Sequence, residues 1–334
     1  MRAPEFWDAR SGTVAGLVGG LLAPLGAAWD AAARLRRAMA RPYRAPVPVI
    51  CVGNLVAGGA GKTPVVLALA ASIAATGLTI RVVTRGYGGS LGGPVRVDPA
   101  THDAEAVGDE ALLIAACAPC WIARDRAAGM RQAVATGAGA ILLDDGFQNP
   151  AIEKDLSMVV VDAEYGFGNR RVIPAGPLRE PVAAGLARAD AIVLLGEGAE
   201  PAGLREAGRP IFRADLEPVD GGRFAGVPVV AFAGIGRPEK FFASLRGLGA
   251  MVIAAYPFPD HHRFADAEIA RLRQEAERAG ARLVTTAKDW VRLPPRLRGG
   301  IEVLEAKISW HDSAAVMRLV ANVLPKAAPG RAIG

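Results

Sequence analysis

Residues 47–70 read "VPVICVGNLVAGGAGKTPVVLALA", and the architecture of the chain follows from them. A short apolar run ends in Gly53-Asn54, a glycine-rich loop follows, and an apolar helical pattern opens at its end. Strand, phosphate-cradling loop and helix in that order are the context a P-loop requires. Gly58, Gly59 and Gly61 let backbone N–H groups approach phosphate oxygens, and the N-terminus of the next helix favours anions. Lys62 is placed to reach the β- and γ-phosphates, and Thr63 to ligate Mg²⁺. The common pattern G-x-x-x-x-G-K-[ST] asks for glycine where Val56 stands. The core Gly58-Gly59-x-Gly61-Lys62-Thr63 fits instead the variant G-K-G-G-x-G-K-[ST], with Ala57 replacing its signature lysine. The mismatch removes one turn glycine and no phosphate-contacting group. The expected nucleotide-binding residues are Val56, Ala57, Gly58, Gly59, Ala60, Gly61, Lys62 and Thr63, with ATP and Mg²⁺ as cofactors.

Such a loop needs a carboxylate at the end of a neighbouring strand to hold the metal. "AILLDDGFQ" supplies Asp144 and Asp145 after four apolar residues. Two adjacent aspartates at a strand end also suit a helix cap; beside a phosphate loop, metal binding is the expectation. "RGYGG" (85–89) and "VGDE" (107–110) fall at the same expected sheet edge. A hydroxyl acceptor needs a group to take its proton, which makes Asp109 a candidate base and Glu110 a candidate metal ligand. Taken alone, G-D-E equally describes a helix N-cap with a first-turn acid. "ARDR", residues 123–126, reads either as a solvated charge cluster or as a phosphate clamp. "FPDHHRF" brings Asp260, His261 and His262, half of the four histidines in the chain, into a segment after an expected strand. Paired histidines are commonly structural; here Asp260 is available to orient a ring. "PAGPLREP" (174–181) and "TAKDW" (286–290) are polar turns after strands without an evident role.

Strand and helix patterns alternate from residue 47 to about 205. This implies a mostly parallel sheet with helices on both faces, its polar motifs just after strands, where open α/β sheets bind ligands. Prolines, glycines and alternating residues at 206–225 suggest a connecting hairpin. A second, smaller α/β unit is expected over 226–325, with a loose tail after Leu324. Among 334 residues there are 40 glycines and few aromatics (6%), which suits parallel sheets covered by alanine-rich helices. The net charge of +6 fits an anionic partner, but no basic-aromatic stripe points to nucleic acid. The three cysteines include one C-x-x-C, Cys117 to Cys120, without the second pair a zinc ribbon needs.

Residues 11–29 carry no charge, and Arg34, Arg36, Arg37, Arg41 and Arg44 follow. A spanning helix wants about 20 apolar residues, and this run includes five glycines and Pro24. An apolar helix followed by a basic stretch suits an anionic inner leaflet; packing on the protein's own core and a true span are the alternatives. Residues 1–45 are therefore expected to form a membrane-associated segment ahead of a P-loop domain over 46–205.

The order GN-x₃-GG-x-GKTP, RGYGG, GDE, RDR, DDGFQ, PAGPLRE, FPDHH-x-F and T-x-KD resembles the tetraacyldisaccharide 4′-kinase (lipid A 4′-kinase) family, from the N-terminal helix to about residue 290. The resemblance implies a P-loop kinase at the cytoplasmic face of the bacterial inner membrane. It implies transfer of the γ-phosphoryl of ATP to the 4′-hydroxyl of an acylated glucosamine disaccharide 1-phosphate. It assigns Asp144 and Asp145 to Mg²⁺ with Thr63 and Glu110, and Asp109 with His261 to a catalytic dyad beside Lys62. Ala287 departs from the glutamate common before Lys-Asp in the family. The alternative, a membrane-associated ATPase switch of the partitioning type, would want lysine at position 57 and has no use for FPDHH.

Overall fold

The computed structural model describes residues 4–7 and 13–325. The tail expected to be loose lies, beyond residue 325, outside the described residues, as do residues 1–3 and 8–12 of the expected N-terminal segment. In chain order the strands are β1 (Val49–Gly53), β2 (Ile80–Thr84), β3 (Val95–Arg96), β4 (Cys120–Ile122), β5 (Ala140–Asp144), β6 (Leu156–Asp162), β7 (Ala191–Leu195) and β8 (Ile211–Pro218). There follow β9 (Pro228–Ala233), β10 (Met251–Pro257), β11 (Arg282–Thr286), β12 (Ile301–Leu304) and β13 (Ala306–Trp310). They form a large sheet in the order β13-β8-β7-β6-β1-β5-β2-β4-β3 and a small one in the order β10-β9-β11-β12.

The large sheet is parallel except where β3 and β13 run against β4 and β8. Its central strands are continuous apolar runs because both faces are covered. Along β1, Ile50 and Val52 enter one core with Val65, Val66, Leu69 and Ile73 of the helix Lys62–Ala74; Val49 and Cys51 enter the other. That alternation follows from the two-residue period of a strand. The register sets Val52 of β1 opposite Asp144 of β5, so the phosphate loop and the paired aspartates leave neighbouring strands at the same edge.

Two boundaries differ from expectation. Residues 211–218 are not half of a connecting hairpin: β8 extends the large sheet beside β7. The smaller unit does not run to 325 either. The chain returns at β13, which pairs with β8, and the helix Ser313–Ala321 buries Val316 and Val320 in the same core as the helix Lys62–Ala74. Near the edge of the sheet β8 is only half covered, so its alternating pattern imitates a surface hairpin. Between these passages the smaller unit forms its own parallel sheet. Phe241, Phe242 and Leu245 of the helix Pro238–Gly247 cover one face, and Ile269, Leu272 and Ala276 of Asp266–Arg278 the other.

The N-terminal helix Thr13–Met39 carries Pro24 within it, and its Gly16–Met39 portion is long and apolar enough to cross a membrane by length and composition. Among the described residues it is attached on one side. Arg171 Nη1 donates to the Gly19 carbonyl at 2.9 Å, and the Gly26 backbone lies close to the Val172 carbonyl. Leu17, Leu21, Leu25 and Trp29, four residues apart and so on one helix face, are exposed.

Candidate active site

The loop leaving β1 explains its own irregularity. Val56 is buried and forms an antiparallel bridge with Leu178, and the Ala57 N–H donates to the Pro177 carbonyl at 2.7 Å. The first loop position is therefore a piece of strand, which suits a β-branched residue better than glycine. The turn is made further on. Gly61 has φ of 77°, and a side chain there would clash with Leu195. Asn54 Nδ2 donates to the Gly58 carbonyl at 3.4 Å and braces the loop. Gly58 and Gly59 have open space around them, and Ala60 is buried. Lys62 opens the helix Lys62–Ala74 from a buried position, and Thr63 lies half-buried in its first turn.

Asp144 ends β5 almost fully buried. Its Oδ2 accepts a hydrogen bond from Thr84 Oγ1 at 3.0 Å, while Oδ1 is buried without a partner. Burial first, then the charges of Glu110 and Asp145, push this carboxyl up to about 7, against the pull of Lys62 and Thr84. Asp145 is engaged differently. Arg179 of the "PAGPLREP" turn donates to its two oxygens at 2.7 and 3.0 Å, and Lys62 Nζ lies 3.7 Å away. Burial raises the Asp145 carboxyl, but Lys62 and Arg179 outweigh it and hold it below the usual range. An orphaned carboxylate oxygen amid crowded negative charge fits a divalent cation. Among the described residues no three His, Cys, Asp or Glu gather as a cage. Mg²⁺ needs only one or two carboxylates and completes its shell with waters and phosphate oxygens. Arg126, of "ARDR", is buried with Nε unpartnered; burial lowers its guanidinium to about 10 although Asp144 and Asp145 support the charge. Asp125 of that motif caps the helix Arg126–Ala135.

The Gly-Asp-Glu turn stands at the start of the helix Asp109–Cys117. Gly108 has φ of 88°, and a side chain there would clash with the Tyr87 carbonyl of "RGYGG". This close fit presents buried Asp109 toward the smaller unit. Asp109 Oδ1 accepts from the Glu110 N–H at 2.8 Å, and Oδ2 lies 3.0 Å from His261 Nδ1. Burial opposes ionisation of Asp109, but the His261 hydrogen bond, Lys288 and Arg292 more than offset it, and the carboxyl stays well below the usual range. With Asp109 ionised, His261 Nδ1 carries the proton. His261 has a left-handed backbone, φ of 58°, fixed by donation of its N–H to the Gly234 carbonyl at 3.1 Å. Its ring lies 5.6 Å from that of Tyr87. Asp260 is 3.8 Å from Nε2, so Asp109 rather than Asp260 orients the imidazole. His262 has a local role: it pairs with Glu268 at 2.9 Å and stacks on Phe258.

Three cations around these acids went unassigned in the sequence. Arg179 holds Asp145, Lys288 Nζ lies 3.2 Å from Glu110 Oε1, and Arg292 Nε donates to Asp109 Oδ2 at 2.6 Å. The signal for the first two was their place in polar turns after strands; Arg292 lies outside every motif.

A family model described as "Tetraacyldisaccharide-1-P 4'-kinase" matches residues 18–325. The tetraacyldisaccharide 4'-kinase of Rhodospirillum centenum is 56% identical over 97% of each chain. That of Rhodospirillum rubrum is 49% identical over 97% of this chain and 100% of its own. Among solved structures, LpxK from Aquifex aeolicus, determined in complex with ATP, matches with a TM-score of 0.74 at 26% identity, over 92% of this chain and 100% of its own. The chain belongs to the tetraacyldisaccharide-1-P 4'-kinase family.

Proposed function

We propose that this chain phosphorylates the 4′-hydroxyl of tetraacyldisaccharide 1-phosphate with the γ-phosphoryl group of ATP, at the cytoplasmic face of the inner membrane. The observation that carries the reading is one sheet edge. It bears a phosphate loop with Lys62, a buried carboxylate with a free oxygen, and a carboxylate–imidazole pair. The backbone of residues 56–61 would receive the phosphates, and Lys62 would meet the transferred group. Asp144 would offer its open oxygen to Mg²⁺, with Thr63 and Glu110 as the further ligands. Asp145, already claimed by Arg179 and Lys62, steadies Lys62 unless Arg179 releases it. Bound Mg²⁺ would neutralise charge developing on the β- and γ-phosphate oxygens. The acceptor oxygen bonds to the γ-phosphorus as the bond to the β,γ-bridging oxygen breaks, and ADP leaves. Asp109 Oδ2 is filled by His261 and Arg292. The position left open in the pair is His261 Nε2, which takes the hydroxyl proton while Asp109 holds Nδ1–H.

The exposed stripe Leu17, Leu21, Leu25 and Trp29, continued by the arginines from Arg34 to Arg44, supports a membrane-surface position for the N-terminal helix. An acylated acceptor stays in the bilayer, so the enzyme must come to it. Labelled ATP and tetraacyldisaccharide 1-phosphate, incubated with the purified protein, test the reading by formation of a bisphosphorylated lipid. Release of phosphate to water alone would favour the switch ATPase. If Asp109 and His261 act as one unit, Asp109→Ala/His261→Ala should be little slower than either single variant; multiplicative losses would separate them.

A further inference from the structure

The segment from Thr286 to Arg292 enters that reading only where Arg292 fills Asp109 Oδ2, yet all of it is tied into the site. Thr286 caps the helix Ala287–Arg292, and its Oγ1 donates to Asp289 Oδ2 at 2.6 Å. Asp289 is fully buried and its Oδ1 accepts from the Gly234 N–H at 3.0 Å and from Arg292 Nη1 at 2.9 Å. Arg292 Nη1 also donates to the Gly234 carbonyl at 2.6 Å. One edge of the guanidinium is thus fixed inside the smaller unit, and its Nε crosses to Asp109 Oδ2 in the larger one. The Gly234 carbonyl also accepts from the His261 N–H. The two donors that converge on Asp109 Oδ2 therefore share one backbone anchor. None of these contacts uses the side chain at position 287, so alanine there leaves the arrangement intact.

We propose that Arg292 is a positioning residue for phosphoryl transfer. Braced by Asp289 and Gly234, it fixes the Asp109 carboxylate so that Oδ2 meets His261 Nδ1 when the smaller unit is docked. The inference rests on the reading of Asp109 and His261 as the proton-handling pair. Only the planar fork of arginine reaches Asp289, Gly234 and Asp109 together; a lysine ammonium keeps the charge and loses the geometry. Without the fork, Asp109 keeps its imidazole contact but is free to turn toward Lys288, 3.9 Å from Oδ2.

The test is steady-state lipid phosphorylation by the full chain. Arg292→Ala should lower kcat on the order of a hundredfold, the scale of a misplaced catalytic group, with KM for ATP unchanged. In a His261→Ala background the same substitution should add little further loss. Arg292→Lys should show the kcat loss with a melting temperature near wild type, which separates positioning from unfolding. Near-normal kcat in Arg292→Ala, or full recovery in Arg292→Lys, would overturn the inference. So would a loss that multiplies with that of His261→Ala. If Asp109→Ala and His261→Ala themselves keep full kcat, the underlying reading fails; if they lose it while Arg292→Ala does not, only the role of Arg292 fails.

Discussion

Asp144 should be a residue whose charge the enzyme needs and the fold resists. Its carboxyl is raised from 3.8 to about 7, chiefly by burial and then by Glu110 and Asp145. Between those values the folded chain holds a proton that the unfolded chain has released. Stability therefore falls as pH rises through this window, and the penalty is complete above it. At about 1.4 kcal/mol per pKa unit, the ionised carboxylate costs the metal-free protein on the order of a few kcal/mol. Asp144→Asn keeps the shape and removes the charge. At about pH 8.5, above the folded value, the metal-free variant should melt higher than wild type. The gain should be several degrees, at no more than about 2–4 °C per kcal/mol, the scale of chains of about 150–250 residues. The gap should close toward about pH 3, below both values, where both states carry the proton. The same variant should lose most phosphoryl transfer, and ATP with Mg²⁺ should raise its melting temperature less than that of wild type. Thermal melts across pH, with chelator or with ATP and Mg²⁺, read all of this. A variant that melts at or below wild type at the alkaline end would refute the argument that burial and neighbouring acids make this carboxylate costly.

Two other expectations follow from the site and the N-terminal helix. Lys62→Ala should cut transfer on the order of a hundredfold or more, as loss of a charge facing the reacting group does; near-normal turnover at saturating ATP would remove the loop assignment. Deleting residues 1–33 should move the protein from membrane to soluble fractions and weaken use of the acylated acceptor, and a truncated chain that stays on membranes in high salt would contradict that.

The parts legible in the sequence were those whose chemistry is local. Glycines before Lys62-Thr63, and an apolar run ending in Asp144-Asp145, announce themselves because strand, loop and helix need those residue types in that order. Val56 was anomalous only while its bridge to Leu178 was out of sight, more than a hundred residues away. Arg179 stood in a polar turn without an assignable role, and Arg292 outside every motif, for the same reason. Arginine is frequent in this chain, and what singles these two out is a carboxylate brought to them by tertiary structure. The placement of β8 failed from the opposite cause: a strand near an edge has a pattern that a surface hairpin also shows.

The contacts between the two units have a consistent sign. On one flank Asp162 and Glu164 of the larger unit meet Arg237 and Lys240 of the smaller. On the other, Asp109 and Glu110 meet His261, Lys288 and Arg292. The two flanks differ physically. Glu164 and Lys240 are about half exposed, so their pairing is worth about 1 kcal/mol or less and weakens with salt. Arg292 and Asp109 are almost completely buried. Such a pair adds little net stability when whole, but losing one partner leaves an uncompensated buried charge, at a cost of about 3–5 kcal/mol. The exposed flank can therefore loosen and re-form cheaply, whereas any position of the smaller unit that strips Asp109 of its cation is strongly disfavoured. The geometry in which Asp109 meets His261 is thus also the one in which its charge is best compensated, which ties catalytic alignment to docking of the two units.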